Sequence, residues 1–108
     1  MSEWKDICKF SDLAANTGVC ALHNQEQVAI FRVGKEQKVY AISNYDPIGK
    51  ANVLSRGIVG DIKGKLVVAS PLYKQHFCLE TGECLEEPEN SVKAYAIRVE
   101  GDVVQLQA

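Results

Sequence analysis

Histidine and cysteine residues lie close together at two places in the sequence, and such pairs are the first candidates for metal binding. Cys20 and His23 have C-x2-H spacing, and His76 and Cys78 form an H-x-C pair. On a strand, side chains three positions apart point to opposite faces, so Cys20 and His23 share an ion only where the chain bends. We therefore expect Cys20 and Cys78 to be small core residues and His23 to begin a turn, with a Cys2His2 metal site as the alternative.

Other reactive patterns are weaker. His23 and His76 are the only histidines, and neither lies in a local signature for nucleophilic catalysis. No glycine cluster precedes a helix, which excludes a P-loop or a dinucleotide-binding turn. The acidic run ETGECLEEPE at 80–89 lacks the Asp-x-Asp-x-Asp pattern of a calcium loop and is typical of a solvated loop. These patterns predict no catalytic residue in the chain.

The four cysteines, Cys8, Cys20, Cys78 and Cys84, bear on the redox state of the protein. A chain of this size has enough core to fold without crosslinks, and free cysteine is among the residue types most often buried. We expect free, mostly buried thiols, with a Cys78–Cys84 disulfide as the alternative.

Length and composition indicate one ordinary globular domain over residues 1–108. The net charge is -2 and the basic residues are scattered, which argues against a nucleic-acid-binding module. No apolar run exceeds four residues, whereas a membrane span needs about 20. The charged N-terminus MSEWKDICKF does not resemble a secretory signal, so we expect a cytoplasmic location without membrane contact.

Nearly all of the chain has the short period of β-strands. The sequence predicts strands at 4–8, 19–22, 27–32, 38–43, 58–62, 65–69, 76–79, 92–99 and 103–106, and one helical turn at 11–15 capped by Ser11. Gaps of two to four residues between several strands select antiparallel hairpins. The predicted architecture is an all-β antiparallel sandwich or barrel built of small sheets.

Hydrophobic patterning predicts where these strands lie. Val28 and Ile30 face one way while Ala29 and Phe31 face the other, so this strand should lie between two layers. The last strand alternates apolar and polar residues, which predicts an outer strand with one face in water. Two long irregular segments, 44–57 and 70–75, are the places where function is expected on a β scaffold.

Those irregular segments carry a family resemblance. ASPLYKQHFCLETGEC at 69–84 resembles the second cluster-binding motif of Rieske ferredoxins, Cys-Pro-Leu-His-Gly followed by a Phe-x-Leu-x-Thr-Gly-x-Cys hairpin. DPIGKANVLSRG at 46–57 is similar to the first motif, Cys-Pro-His followed by a loop that closes in Leu-Ser-x-Gly. The resemblance extends over essentially the whole chain and implies the Rieske-like fold of three small antiparallel sheets.

The four ligands of the family's cluster are absent from these motifs. A Rieske cluster is held by two thiolates on one iron and two imidazoles on the other. Ser70 and Tyr73 stand at the second pair of ligand positions. The first pair falls, with the register open by one residue, among four side chains: Asp46, Pro47, Ile48 and Gly49. Hydroxyl and phenol groups are poor iron ligands compared with thiolate and imidazole, and aliphatic side chains have no donor atom. We therefore expect neither metal nor cofactor in this chain.

A Rieske scaffold without ligands resembles the small subunits of bacterial cytoplasmic NADH-dependent nitrite reductases. The N-terminal WKDIC at 4–8 and SPL at 70–72 are similar to those subunits. The resemblance implies a non-catalytic accessory role in reducing nitrite to ammonium during nitrate assimilation. It also implies a large-subunit partner that carries FAD, an iron–sulfur cluster and sirohaem.

The two former ligand loops are the predicted contact with that partner. Tyrosines and lysines at a protruding tip suit an interface. We define the docking face as Tyr45, Lys50, Tyr73, Lys74 and His76. In the alternative, the tyrosines only plug the vacated cluster site. A β-fold binding module outside nitrogen metabolism and a Rieske-type electron carrier remain the alternative functions.

Overall fold

The computed structural model describes residues 3–34, 38–72 and 74–107, and these residues form short strands and 3-10 turns without an α-helix. The strands are β1 Trp4–Lys9, β2 Thr17–His23, β3 Glu26–Val33, β4 Lys38–Ser43, β5 Tyr45–Asp46, β6 Ala51–Asn52, β7 Ile58–Ile62, β8 Lys65–Ala69, β9 His76–Cys78, β10 Ile97–Glu100 and β11 Val103–Gln107. The 3-10 turns are Phe10–Asp12, Leu54–Arg56 and Pro88–Asn90. The all-β prediction is confirmed.

The strands form four small antiparallel sheets, one more than the three that the resemblance implied, because the first loop contains the two-stranded β5–β6 hairpin. Their strand orders are β1-β11-β10, β2-β3-β4, β5-β6 and β7-β8-β9. Short hairpins join most neighbours, as the two- to four-residue gaps predicted. The β2–β3 turn holds Asn24 and Gln25 at φ 50° and 67°, a pair of positive angles typical of the tight turns that match strand twist.

Strand β3 is the middle layer of the protein. Ala29 and Phe31 belong to a core cluster shared with the β7-β8-β9 sheet, and Val28 and Ile30 belong to a second cluster shared with the β1-β11-β10 sheet. All four side chains are fully buried. The prediction of a two-sided strand is confirmed. This central strand places the sheets on either side of it and fixes where their loops emerge.

Two predicted elements are wrong in extent. The helical turn at 11–15 is instead a 3-10 turn at Phe10–Asp12, and Ser11 does not cap it. Phe10 and Leu13 are buried here, whereas Ala14 and Ala15 are exposed. The segment therefore lacks the continuous buried side that stabilises an amphipathic helix. The hydroxyl of Ser11 instead donates to Asp102.

The predicted strand at 92–99 begins only at Ile97, because the preceding residues pair with another sheet. Ser43 N–H donates to the Lys93 carbonyl at 2.8 Å, and Tyr95 N–H donates to the Ala41 carbonyl at 2.9 Å. The segment therefore crosses from β4 to β11. Strand β11 also lies at the centre of its sheet and not at the outside, although Val104 and Leu106 are buried as its alternation predicted.

The four cysteines are free thiols in this structure, Cys78 and Cys84 included. Cys78 and Cys84 are buried and Cys8 is half-buried, whereas Cys20 is exposed. Burial raises the pKa of the Cys84 thiol, and burial followed by the charge of Asp12 raises that of Cys8. The prediction of a core position is therefore confirmed for Cys78 and wrong for Cys20, whose side chain lies at the surface on β2.

Candidate functional site

Two loops with the same local structure meet at one end of the β7-β8-β9 sheet. In the first, Lys50 N–H donates to the Asp46 carbonyl at 2.7 Å, and in the second, Lys74 N–H donates to the Ser70 carbonyl at 3.0 Å. Both lysines have left-handed backbones, with φ 59° and 62°. The sequence holds the corresponding repeat, DPIGK at 46–50 and SPLYK at 70–74, which our sequence analysis missed.

The first residue of each loop caps its own turn with a side-chain oxygen. Asp46 Oδ1 accepts hydrogen bonds from Ile48 N–H at 2.8 Å and Gly49 N–H at 3.0 Å. Ser70 Oγ accepts one from Leu72 N–H at 3.2 Å. Such side-chain bonds to the following backbone explain why Asp and Ser suit the first position of these turns.

A buried hydrogen bond joins the two loops. Ser70 Oγ–H donates to Asp46 Oδ2 at 2.5 Å, and the two residues are 1% and 0% exposed. Two cysteines that share one iron also have to bring their side chains together. The contact favours the register in which Asp46 and Ser70 occupy the two cysteine positions of the Rieske motifs.

Close packing accompanies this bond. A Cβ built on Gly49 lies 2.4 Å from Leu72 Cδ1 in the other loop, so a side chain at this position requires the Leu72 side chain to move. Ile48 packs against the core cluster that contains Phe77, and Pro47 is half-buried. Of the candidate ligand residues in the first loop, none projects freely from the tip.

The scaffold fixes the first loop from below. Tyr45 pairs with Asn52 and Asp46 pairs with Ala51, so the loop is a short β5–β6 hairpin. At its base, the buried Asn44 accepts a hydrogen bond from Ser55 N–H at 2.6 Å through Oδ1. The loop is thereby held between β4 and the 3-10 turn that precedes β7.

The residues of the docking face differ in exposure. Tyr45 is 42% exposed, so a large part of its side chain is open to solvent. Lys50 and Lys74 are exposed, and His76 is half-buried. Tyr73 lies outside the described residues. Of the described members, Lys50 and Lys74 are tied by their backbone N–H groups to Asp46 and Ser70, the two residues of the buried contact.

His76 is engaged by an acidic neighbour. Its ring Nδ1 lies 2.7 Å from Glu86 Oε2, and its backbone N–H donates to Glu86 Oε1 at 2.8 Å. Burial alone raises the pKa of Glu86, but the hydrogen bonds from His76 outweigh it and the pKa is lowered overall. His76 is therefore oriented by Glu86 at the edge of the tip.

The two candidate metal pairs of the sequence do not form a metal site. Cys20 is exposed, whereas His23 is buried with Nε2 3.0 Å from the Gln107 carbonyl oxygen. Cys78 is buried beneath a His76 that binds Glu86. Across ranges 3–34, 38–72 and 74–107, no three His, Cys, Asp or Glu side chains are grouped as metal ligands.

Comparisons with known proteins agree with this geometry. The Rieske-like [2Fe-2S] domain family matches residues 3–107. The nitrite reductase (NADH) small subunit of Escherichia coli K12 is 54% identical over 99% of each chain. The chain belongs to this family of nitrite reductase small subunits. A crystal structure of a putative NADH-dependent nitrite reductase small subunit from Mycobacterium tuberculosis is 39% identical, with a TM-score of 0.93 over 100% of this chain and 96% of that one.

One further relative has a different chain organisation. A nitrite reductase [NAD(P)H] large subunit of Klebsiella oxytoca contains a segment that is 40% identical to this chain. The match covers 94% of this chain and 10% of the Klebsiella protein. In that protein, a segment similar to the small subunit is part of the large-subunit polypeptide.

The residues at the tip do not fit the [2Fe-2S] cluster that the family's description implies. Asp46 accepts three hydrogen bonds, one of them from Ser70, so its oxygens are already satisfied within the protein. Ser70 supplies a neutral hydroxyl where a thiolate is required, and Ile48 supplies no donor atom. The hydrogen bond from Ser70 to Asp46 instead joins the two loops that carry the ligand positions of the motifs.

Proposed function

We propose that this chain is the small subunit of an NAD(P)H-dependent nitrite reductase and acts by binding the large subunit. It is a single domain over residues 1–108, supplies no catalytic residue or cofactor, and works in the cytoplasm. Nitrite is reduced to ammonium on the large subunit, which carries FAD, an iron–sulfur cluster and sirohaem. The 54% identity to the E. coli small subunit over nearly the whole of both chains carries this proposal. No helix among the described residues is long and apolar enough to cross a membrane.

The Klebsiella protein supports the large subunit as the partner. A segment similar to this chain is there linked covalently to a large subunit. Covalent linkage makes the contact intramolecular and raises its effective concentration, an advantage only where the two parts act together. In this chain the same contact has to be formed between separate polypeptides.

The docking face is the surface that we assign to this contact. Tyr45 is 42% exposed, and Lys50 and Lys74 are exposed on turns whose backbones are fixed by hydrogen bonds. A rigid aromatic with charges at its rim is the arrangement that gives interfaces their anchor and orientation. A preorganised tip also loses little conformational entropy on binding.

The proposal is tested by co-purification with a tagged large subunit from the same organism. We expect the wild-type chain to co-purify and the variants Tyr45→Ala and Tyr73→Ala/Lys74→Ala to bind at least about tenfold more weakly. Lys63→Ala is the matched control, because Lys63 is an exposed lysine with φ 51° in the β7–β8 turn. Undiminished binding by the double variant, together with lost thermal stability, would instead support Tyr73 as a plug.

The absence of a cluster is tested by restoring its ligands. The anaerobically purified wild-type chain should show no iron, no labile sulfide and no visible absorption. The fourfold variant Asp46→Cys, Ile48→His, Ser70→Cys and Tyr73→His should gain visible absorption on reconstitution with iron and sulfide, because these positions match the Rieske ligands. Stoichiometric iron and sulfide in the wild-type chain would contradict the accessory role and favour the electron carrier.

A further inference from the structure

A groove of about 500 Å³ lies beside the tip, between β7 and the second loop. It is lined by Arg56, Gly57, Ile58, Ala69, Ser70, Pro71, Lys74 and His76. At Gly57 the backbone comes close to Ala69, since a Cβ on Gly57 would lie 2.3 Å from the Ala69 carbonyl oxygen. The groove shares Lys74 and His76 with the docking face and continues it towards Arg56.

The charge of the groove differs from that of the whole chain. The chain has 14 acidic residues against 12 lysines and arginines, yet the groove is lined by Arg56, Lys74 and the imidazole of His76 and by no acidic residue. Among the described residues, Arg56 and Lys74 are exposed and form no ion pair. Two carboxylates contact residues of the groove, and both are engaged within the protein: Asp46 accepts a hydrogen bond from Ser70, and Glu86 is bound to His76. Two cations are thus left for an external partner.

Two apolar side chains lie side by side in the same groove. Ile58 and Ala69 are direct neighbours across β7 and β8, and His76 follows on β9, so the three side chains share one face of the sheet. Ile58 is 78% exposed, more than any other large hydrophobic residue among those described. An exposed aliphatic residue between two unpaired cations is suited to a segment that is both apolar and acidic.

From this groove we infer that the small subunit binds an acidic segment of the large subunit, with an apolar side chain of that segment against Ile58 and its carboxylates against Arg56 and Lys74. The inference rests on the proposed function and adds the chemistry of the contact. A second copy of this chain, whose residues 80–89 are acidic, is the competing occupant.

Affinity for the purified large subunit tests the charge argument. Arg56→Glu/Lys74→Glu should weaken binding at least about tenfold, because like charges then meet at the interface. Lys63→Glu/Lys65→Glu is the control: it makes the same change in net charge at the β7–β8 turn, where Lys65 has only an exposed ion pair of 3.9 Å with Glu83. Wild-type affinity should also fall as salt rises from about 0.1 M to about 1 M, because the Debye length shortens from roughly 10 Å to 3 Å.

The apolar part of the contact is tested by Ile58→Ala, with Ile62→Ala as its control. Ile62 lies on the same strand but at its other end, beside the β7–β8 turn and outside the lining of the groove. We expect Ile58→Ala to weaken binding and Ile62→Ala to leave it within about twofold. Equal binding by the Ile58→Ala and wild-type chains would overturn the inference.

A carbodiimide, which joins an amine to a carboxylate as an amide and takes up the water as a urea, identifies the occupant directly. In the complex, Lys74 should become linked to an aspartate or glutamate of the large subunit, and Lys74→Arg should remove that link while binding persists. Links from Lys74 only to a second copy of this chain would overturn the inference. If the wild-type chain does not bind the large subunit, the proposed function fails; if it binds and the groove variants bind equally well, only this inference fails.

Discussion

Removal of the Ser70 hydroxyl is expected to destabilise the protein by about 2 kcal/mol. The bond from Ser70 Oγ to Asp46 Oδ2 is buried and has a carboxylate acceptor, a class worth roughly 1.5–3 kcal/mol. In Ser70→Ala, Leu72 N–H also loses its acceptor, but Leu72 is 45% exposed and water replaces that bond. The carboxylate keeps its bonds from Ile48 and Gly49.

Removal of the Asp46 carboxylate should cost more, about 4 kcal/mol. Asp46→Ala breaks the bond from Ser70 and leaves Ile48 N–H and Gly49 N–H without their acceptor, and a buried donor without a partner costs roughly 1–3 kcal/mol. Asp46→Asn keeps one acceptor oxygen and should fall near the loss of Ser70→Ala. At about 4 °C per kcal/mol for a domain of this size, the melting temperature should drop by roughly 8 °C in Ser70→Ala and roughly 16 °C in Asp46→Ala.

Urea unfolding of a double-mutant cycle measures this pair. Ser70→Ala, Asp46→Ala and the double variant should show a coupling of about 1–3 kcal/mol, with m unchanged. Ser11→Ala is the matched control, because Ser11 Oγ donates to Asp102 at 3.0 Å on the exposed surface and should contribute less than about 0.5 kcal/mol. Additive losses in the cycle, or equal losses for Ser11 and Ser70, would refute the claim that this bond ties the loops.

Three further predictions concern the packing, titration and thiols of the protein. Gly49→Ala should cost about 1–2 kcal/mol in urea unfolding, because its Cβ meets Leu72, and Leu72→Ala should recover part of that loss. Burial and the hydrogen bond to Glu26 raise the pKa of Tyr95 to about 12. The neutral phenol therefore contributes its full stabilisation below pH 10.0, and this contribution to the free energy of unfolding is lost as the pH rises through about 12. Glu26→Gln should lower the midpoint of the Tyr95 titration. Cys20 should react with a thiol reagent in the native protein, and Cys20→Ser should abolish that fast phase, while the two buried thiols react only on unfolding.

The strand pattern could be predicted from the sequence because burial and turns leave local patterns. Val28, Ala29, Ile30 and Phe31 are apolar at consecutive positions in a short run between turn residues, which is typical of a strand between two packed layers. The segment at 92–99 could not be predicted in the same way. Its residues pair first with β4 and then with β11, and a change of hydrogen-bonding partner leaves no mark in hydrophobic periodicity.

The candidate site was predicted by position but not by its interactions. The motifs placed Asp46 and Ser70 at ligand positions, and from the sequence we predicted only that these side chains cannot bind the cluster. The sequence does not show that Asp46 accepts a hydrogen bond from Ser70, 24 residues away, because that contact depends on how the two loops meet in space. The repeat of DPIGK and SPLYK was the available signal, since two loops with the same turn chemistry can place their first residues equivalently.

Hydrogen bonding at the tip also explains why a ligand-free Rieske scaffold retains a defined surface there. Without a tie, two irregular loops would gain conformational freedom that any partner must remove on binding, at roughly 1–2 kcal/mol per ordered residue. The Asp46–Ser70 bond fixes one loop to the other, and the backbone N–H groups of Lys50 and Lys74 donate to the carbonyls of Asp46 and Ser70 within each loop. Both loops are thus ordered before a partner binds. Stability and partner binding should therefore fall together in Ser70→Ala, whereas variants of Arg56 in the exposed groove should weaken binding and leave the melting temperature unchanged.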